Sequence, residues 1–294
     1  MAKEAPIQHA AEYLFFRAFR RLALERPIAE VRRFGHQLGR MGFKLLGGQR
    51  KLALNNLAKV FPELDAAENE RIARACFELY GAQFCETIAC GRLSPEEIDS
   101  HFEIEGWEIA EQLQRERGGF FLTTGHYGAA EIALQPLGQR LKPFYAVGRP
   151  LDNPHIDAAI RRIRERGGVE MIDKAGASHR MLTAFRRGGH VAIILDQHVR
   201  PSAGIRVPFL GLPAWTSPVL AILSTRTGAP VLPFTCVPRG EDRYHLSFRQ
   251  PIFPEGRGPE AEAELTRRYL AVVEEDIRRA PEGWLWMHRR WREL

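Results

Sequence analysis

Cysteine is scarce: 294 residues hold only Cys76, Cys85, Cys90 and Cys236, and no pair has the spacing of a zinc site. A disulfide framework is therefore not expected, nor is a metal; the four thiols are expected to be reduced and mostly buried. Long apolar runs are lacking too. No window of about 18 uncharged apolar residues occurs, so no transmembrane helix is expected. The opening MAKEAPIQHAAEYLFFRAFRR has an acidic residue early and no sustained apolar stretch, so no signal peptide is expected. Repeats and low-complexity tracts are absent. What is present is enough for a substantial core, 45% hydrophobic against 27% charged residues.

Net charge is +6, and its placement is uneven. Residues 1–51 contain eleven Lys/Arg and four Glu, a net of +7, so the remainder sums to about −1. A basic arm on a near-neutral body implies an anionic surface partner, lipid or nucleic acid. Within the arm, Tyr13, Leu14, Phe15, Phe16, Phe19, Leu22 and Leu24 are interleaved with Arg17, Arg20, Arg21 and Arg26. Pro27 breaks the helix, and Val31, Phe34, Leu38, Met41 and Leu45 continue at helical spacing. Bulky apolar residues opposite arginines fit a helix lying in a bilayer interface. They fit equally a helix packed on its own domain with the arginines in water. The aromatic face and the lack of any nucleic-acid module argue against nucleic acid.

Further helices are expected over 49–64 and over 65–90, the latter capped by Asp65. Residues 95–115 read as two short helical pieces around Phe102-Glu-Ile-Glu-Gly106. From 118 the pattern changes to strands (118–124, 141–147, 169–172, 191–195, 229–237, 244–248) alternating with helices (153–166, 178–187, 217–227, 260–280). That alternation predicts an α/β fold: a helical N-terminal region, then a mainly parallel central sheet flanked by helices. The functional division is expected at residue 50. Residues 1–50 would form basic amphipathic membrane-facing helices, and 51–294 the chemical domain.

The densest chemistry lies in Thr123-Thr124-Gly125-His126-Tyr127-Gly128-Ala129-Ala130-Glu131, after a buried strand and opening a helix. Ligands collect at such strand ends. On one helix, His126 and Glu131 would face about 140° apart. With His126 in the preceding turn, Glu131 can reach its ring, fix the tautomer and support the imidazolium. The imidazole would then take a proton from an attacking hydroxyl. The alternative is a loop histidine capped by a glutamate. Gly125 and Gly128 would let a substrate approach the backbone. Asp196 and Gln197 end the apolar strand 191–195; they either orient substrate and support the pair or cap the next loop. Arg149 follows in Gly148-Arg149-Pro150, and Arg161, Arg162, Arg164 and Arg166 share a helix. Such guanidinium groups suit phosphate or a developing oxyanion, or else a solvated helix face. Trp284, Trp286 and Trp291 would form an interfacial belt or pack the C-terminus onto the core. No G-x-S-x-G elbow, P-loop or H-E-x-x-H occurs. That excludes three familiar enzyme classes and leaves direct attack on an activated acyl donor.

Taken in order, eight segments resemble the bacterial late lipid A acyltransferases, of the wider lysophospholipid acyltransferase superfamily. They are Asn55-Asn56-Leu-Ala-Lys-Val-Phe-Pro62; Phe102-Glu-Ile-Glu-Gly106; Thr124 to Glu131; Gly148 to Pro154; Leu195-Asp196-Gln197; Val207-Pro-Phe-Leu-Gly211; Thr227-Gly-Ala-Pro-Val231; and Trp284 to Trp291. The resemblance implies a glycerolipid-acyltransferase-like fold. It implies His126 as general base and Glu131 as its partner in an H-x4-E motif. Arg164 falls on the family's essential arginine and Asp196 on its strand-end aspartate. The implied reaction moves a fatty acyl chain from acyl carrier protein or coenzyme A thioester to a hydroxyl of a lipid A precursor. No cofactor beyond that co-substrate is implied. The implied location is the cytoplasmic face of the inner membrane, held peripherally on anionic lipid. Ala129-Ala130 replaces the family's usual Asn-Trp, and where many relatives carry an N-terminal membrane helix the arm here is charged and amphipathic. Relatives of that kind include enzymes acylating phosphatidylinositol mannosides, so that acceptor and a lysophospholipid are alternatives. A non-catalytic membrane-binding protein on the same scaffold is the alternative outside the enzymes.

Overall fold

The computed structural model describes residues 4–292; the outer ends of the two predicted segments, residues 1–3 and 293–294, lie outside them. Four helices come first: α1 (Glu4–Leu24), α2 (Ile28–Leu45), α3 (Gly47–Val60) and α4 (Ala66–Cys90). Pro27 stands immediately before α2, where its missing N–H costs nothing. Asp65 caps α4 by accepting from the Glu68 N–H at 2.8 Å, as the sequence predicts. The short α5 (Pro95–Ser100) is closed by a capping box between Ser94 and Glu97.

The chain then alternates: β1 (Phe102–Glu105), α6 (Trp107–Arg117), β2 (Phe121–Thr124), α7 (Ala130–Arg140), β3 (Phe144–Gly148), α8 (Pro154–Arg166), β4 (Val169–Asp173), α9 (Ala177–Arg186) and β5 (His190–Ile194). A hairpin of β6 (Ile205–Phe209) and β7 (Leu212–Thr216) follows. The last elements are α10 (Val219–Thr227), β8 (Val231–Arg239), β9 (Arg243–Phe248) and α11 (Pro259–Arg279). Seven strands form one sheet in the order β1-β9-β8-β2-β5-β3-β4, parallel at every junction except β8 against β9. The α/β expectation holds. Two details differ. The two short helical pieces expected over 95–115 are α5 and α6, but residues 102–105 between them form an edge strand that the sequence does not predict; four residues are too few to display a period. The β6–β7 ribbon goes unpredicted because Pro208 and Pro213 argue against strands. The two prolines face each other in a two-stranded ribbon, where a missing donor is tolerated.

Helices α1 and α2 belong to the same core as the sheet. Phe16, Ala23, Ile28 and Val31 are buried with Cys85, Ile88, Phe120, Leu122 and Ile132. Arg32 of α2 is buried and ion-paired with Glu86 of α4, and also donates to the Gly240 carbonyl at 2.8 Å. This pair ties α2, α4 and the β8–β9 turn together. Removing one member strands the other charge in a dry site. Glu86→Ala is therefore expected to lower unfolding free energy by about 3–5 kcal/mol in chemical denaturation. All four cysteines are buried and unpaired, and burial pushes the Cys76, Cys85 and Cys90 thiols up to about 12. They are inert packing groups.

Candidate active site

Strands β2 and β5 are parallel neighbours with Thr124 opposite Ile194. Two residues beyond each lie His126 and Asp196, so the register itself brings them together at the carboxyl edge. Asp196 is 1% exposed. Its Oδ1 accepts from His126 Nδ1 at 2.6 Å. Its Oδ2 accepts from the His126 backbone N–H at 2.6 Å and from the Trp284 indole N–H at 2.7 Å. Burial alone would raise this carboxyl; the His126 charge and the three hydrogen bonds outweigh it and hold Asp196 below its usual range. A carboxylate on Nδ1 fixes the proton there and leaves Nε2 as the acceptor. The side-chain nitrogen of Gln197 lies 3.0 Å from Nε2.

Glu131 sits in the first turn of α7 but does not bond the imidazole. It accepts two hydrogen bonds from Arg164 of α8, at 2.6 Å from Nε and 3.0 Å from a terminal nitrogen. This corrects the expected pairing: the tautomer is set by Asp196, 70 residues away, and Glu131 holds a guanidinium. The fork geometry matches a carboxylate better than one imidazole N–H does, and Arg164 is close enough to claim both oxygens. Arg161 is used elsewhere, in ion pairs with Asp157 and Asp173. Arg149 is not drawn into the cluster. It is exposed and pairs with Asp152 at 2.6 Å.

The turn carrying His126 is tightly held. Tyr80 of α4 donates to the His126 carbonyl. The Leu285 N–H donates to the same oxygen at 3.1 Å. A Cβ on Gly125 would fall 2.4 Å from Val273 and 3.0 Å from Asp196 Oδ2. Gly128 has φ +58, and a Cβ there would fall 2.1 Å from the Cys236 carbonyl. The protein's own backbone and side chains, rather than a substrate, therefore explain both glycines.

The C-terminal segment completes the site, and no sequence pattern announced its role. Trp284, Trp286 and Trp291 are all buried, so they pack inward and form no belt. Trp284 also supplies the donor to Asp196. Asn56 of the Asn55-Asn56 pair donates to the carbonyls of Trp286 and His288, both at 2.9 Å, and so clamps this segment to α3. Arg290 is 0% exposed and donates to the Gln197 and Trp215 carbonyls at 2.9 and 2.6 Å. Burial pushes it down to about 10, still cationic at neutral pH. It fixes the backbone beneath Gln197. Only its place among basic and aromatic residues near the C-terminus could have drawn attention to it. The assembled site has an oriented imidazole whose Nε2 is an acceptor facing the Gln197 amide, a buried carboxylate behind it and a separate carboxylate–guanidinium pair. Such a set can take a proton from a hydroxyl and steady a developing negative charge.

The family model described as bacterial lipid A biosynthesis acyltransferase matches residues 4–293. The chain is 27% identical over 273 residues to the lipid A biosynthesis lauroyltransferase of Escherichia coli, spanning 92% of this chain and 88% of that one. It is 25% identical over 260 residues to the E. coli lipid A biosynthesis palmitoleoyltransferase, spanning 88% and 83%. A lipid A biosynthesis acyltransferase of Haemophilus influenzae is 26% identical over 277 residues, spanning 92% and 86%. Among solved structures, the 1-acyl-sn-glycerophosphate acyltransferase PlsC of Thermotoga maritima is similar with a TM-score of 0.41 at 14% identity, covering 86% of this chain and 99% of that one.

Proposed function

The chain belongs to the bacterial lipid A biosynthesis acyltransferase family, and we propose that it moves a fatty acyl chain from an acyl carrier protein thioester to a hydroxyl of a lipid A precursor at the cytoplasmic membrane face. The observation that carries the mechanism is the Asp196–His126 pair with Nε2 left as acceptor. The acceptor hydroxyl enters where the Gln197 amide now lies, 3.0 Å from Nε2. His126 takes its proton as the oxygen attacks the thioester carbonyl. Asp196 stabilises the imidazolium that results. The tetrahedral oxyanion then collapses, the carrier's thiolate leaves, and the imidazolium returns the proton to it.

Arg164 has five N–H donors, and Glu131 uses two. The remaining donors are suited to the oxyanion, with Glu131 holding the fork in place. Glu131→Gln leaves one oxygen and breaks the two-point grip. The expected result is a fall in kcat of about 10–10²-fold, with the pH profile of kcat unshifted because the Asp196 contact survives. A displaced profile would return Glu131 to the imidazole.

The N-terminal helices support a peripheral location. No described helix is long and apolar enough to cross a membrane. Yet Leu14, Phe15, Leu22, Phe34, Met41 and Leu45 are exposed, Phe15 at 73%, beside the exposed arginines Arg17, Arg21, Arg33 and Arg40. An apolar face rimmed by cations fits an anionic bilayer.

The test is transfer of a labelled acyl group by the full chain in anionic vesicles. Donors are the carrier-protein and coenzyme A thioesters. Acceptors are a lipid A precursor, a lysophospholipid and a mannosylated phosphoinositide. Transfer from the carrier protein to the lipid A precursor is expected. Transfer only to another acceptor would overturn the substrate assignment, and no transfer at all would leave a non-catalytic scaffold.

A further inference from the structure

Beside the imidazole lies a second feature that the chemistry above does not use. A cleft of about 660 Å³ opens between the start of α3 and the C-terminal segment. Its walls include Lys51, Asn55, His198, His288, Arg289 and Arg292, and among the described residues no acidic one lines it. The arginines of α4 and α11, and Arg161 and Arg164 of α8, are neutralised by ion pairs along their own helices or across to neighbours. Lys51, Arg289 and Arg292 make no ion pair with any described residue, and all three are exposed. Burial pushes His288 down to about 4, so it is neutral at working pH and the positive charge comes from those three side chains. The first turn of α3 carries no acid, and a Cβ at Gly47 or Gly48 would meet nothing.

Position gives the cleft its meaning. His198 directly follows Gln197, whose amide faces His126 Nε2. Arg289 directly precedes Arg290, which holds the Gln197 carbonyl. A group seated among the three cations is therefore joined through one short backbone link to the reacting edge. Lysine and arginine converging without an acid, next to a proton-accepting imidazole, suit a phosphate ester rather than a carboxylate-bearing protein face. The second arginine-rich cleft, between α1 and α8, is weaker on this count: Glu165 lines it and Arg166 already donates to the Gly91 carbonyl.

We infer that the cleft lined by Lys51, Arg289 and Arg292 binds a phosphate ester of a substrate and so sets which hydroxyl or thioester reaches His126. This rests on the acyl-transfer reading for its substrates. Two of them carry the required chemistry: the phosphorylated sugar of the acceptor, and the phosphodiester of the donor's pantetheine arm.

The experiment compares the wild-type chain with Lys51→Gln/Arg289→Gln/Arg292→Gln, three exposed changes whose fold is checked by thermal unfolding. Inorganic pyrophosphate is the binding probe, followed by calorimetry at fixed ionic strength. Affinity is expected to fall by about ten-fold or more; equal binding by both proteins would overturn the inference. KM is then measured for the acceptor with and without its phosphates, and for phosphopantetheine against pantetheine thioesters. The KM of one phosphorylated substrate should rise by about ten-fold, with its phosphate-free form treated alike by both proteins. Every KM unchanged, with wild-type transfer intact, overturns the inference and spares the function. Absent wild-type transfer defeats the function, while pyrophosphate binding still decides the cleft.

Discussion

Replacing His126 by alanine is expected to reduce kcat by about 10³-fold or more while KM for either substrate changes little. The ring presents an acceptor nitrogen at the carboxyl ends of β2 and β5, where the Gln197 amide now lies, and in the proposed reaction the attacking hydroxyl needs a proton acceptor as its oxygen closes on the thioester. Folding should survive. Without the ring, Oδ2 of Asp196 still accepts from the residue-126 backbone N–H and from Trp284 while Oδ1 loses the imidazole, so about 1–3 kcal/mol of stability is at stake. Single-turnover measurements with saturating thioester isolate the chemical step. A variant that transfers at near wild-type rate would remove the base assignment and leave only family membership.

Much of this site was legible because local patterns place residues at strand ends. The apolar runs before Thr124 and before Leu195 mark two strands, and helices between them make the sheet parallel. What a linear reading does not supply is which strands are neighbours. β2 and β5 are adjacent although β3 and β4 intervene in sequence, and that adjacency decides that His126 meets Asp196. The five-residue spacing to Glu131 is conspicuous in the chain but spans a turn, and the helix it opens carries the carboxylate toward α8. Trp284 and Arg290 were less accessible still. Their partners lie 88 and 93 residues away, and a tryptophan donating to a carboxylate looks in sequence like any packed indole. Asn56 illustrates the same limit. Its pattern drew attention through resemblance, while its work, clamping the segment that carries Trp284, needs the fold.

The substitution that tests this arrangement most sharply is Asp196→Asn, expected to lower kcat by about 10³–10⁴-fold. The cause lies in donors and acceptors, since size and shape barely change. Two N–H groups, from the His126 backbone and the Trp284 indole, converge on Oδ2. An asparagine must keep its carbonyl oxygen toward that pair, because turning its amide there would set three donors against one another in a buried space. The amide NH₂ then faces His126 Nδ1 and donates to it. Nδ1 becomes the acceptor, the ring proton moves to Nε2, and the nitrogen that should take the hydroxyl's proton already carries one. Lost too is the negative charge that supports the imidazolium. Nitrogen-15 shifts of the imidazole should report the exchange of tautomers directly, and the rate loss should persist at high pH, where a merely weakened base would recover. Should the tautomer stay as in the wild type and the rate fall less than about ten-fold, the proton must be held by another group. Glu131, freed from Arg164, would be the first to examine.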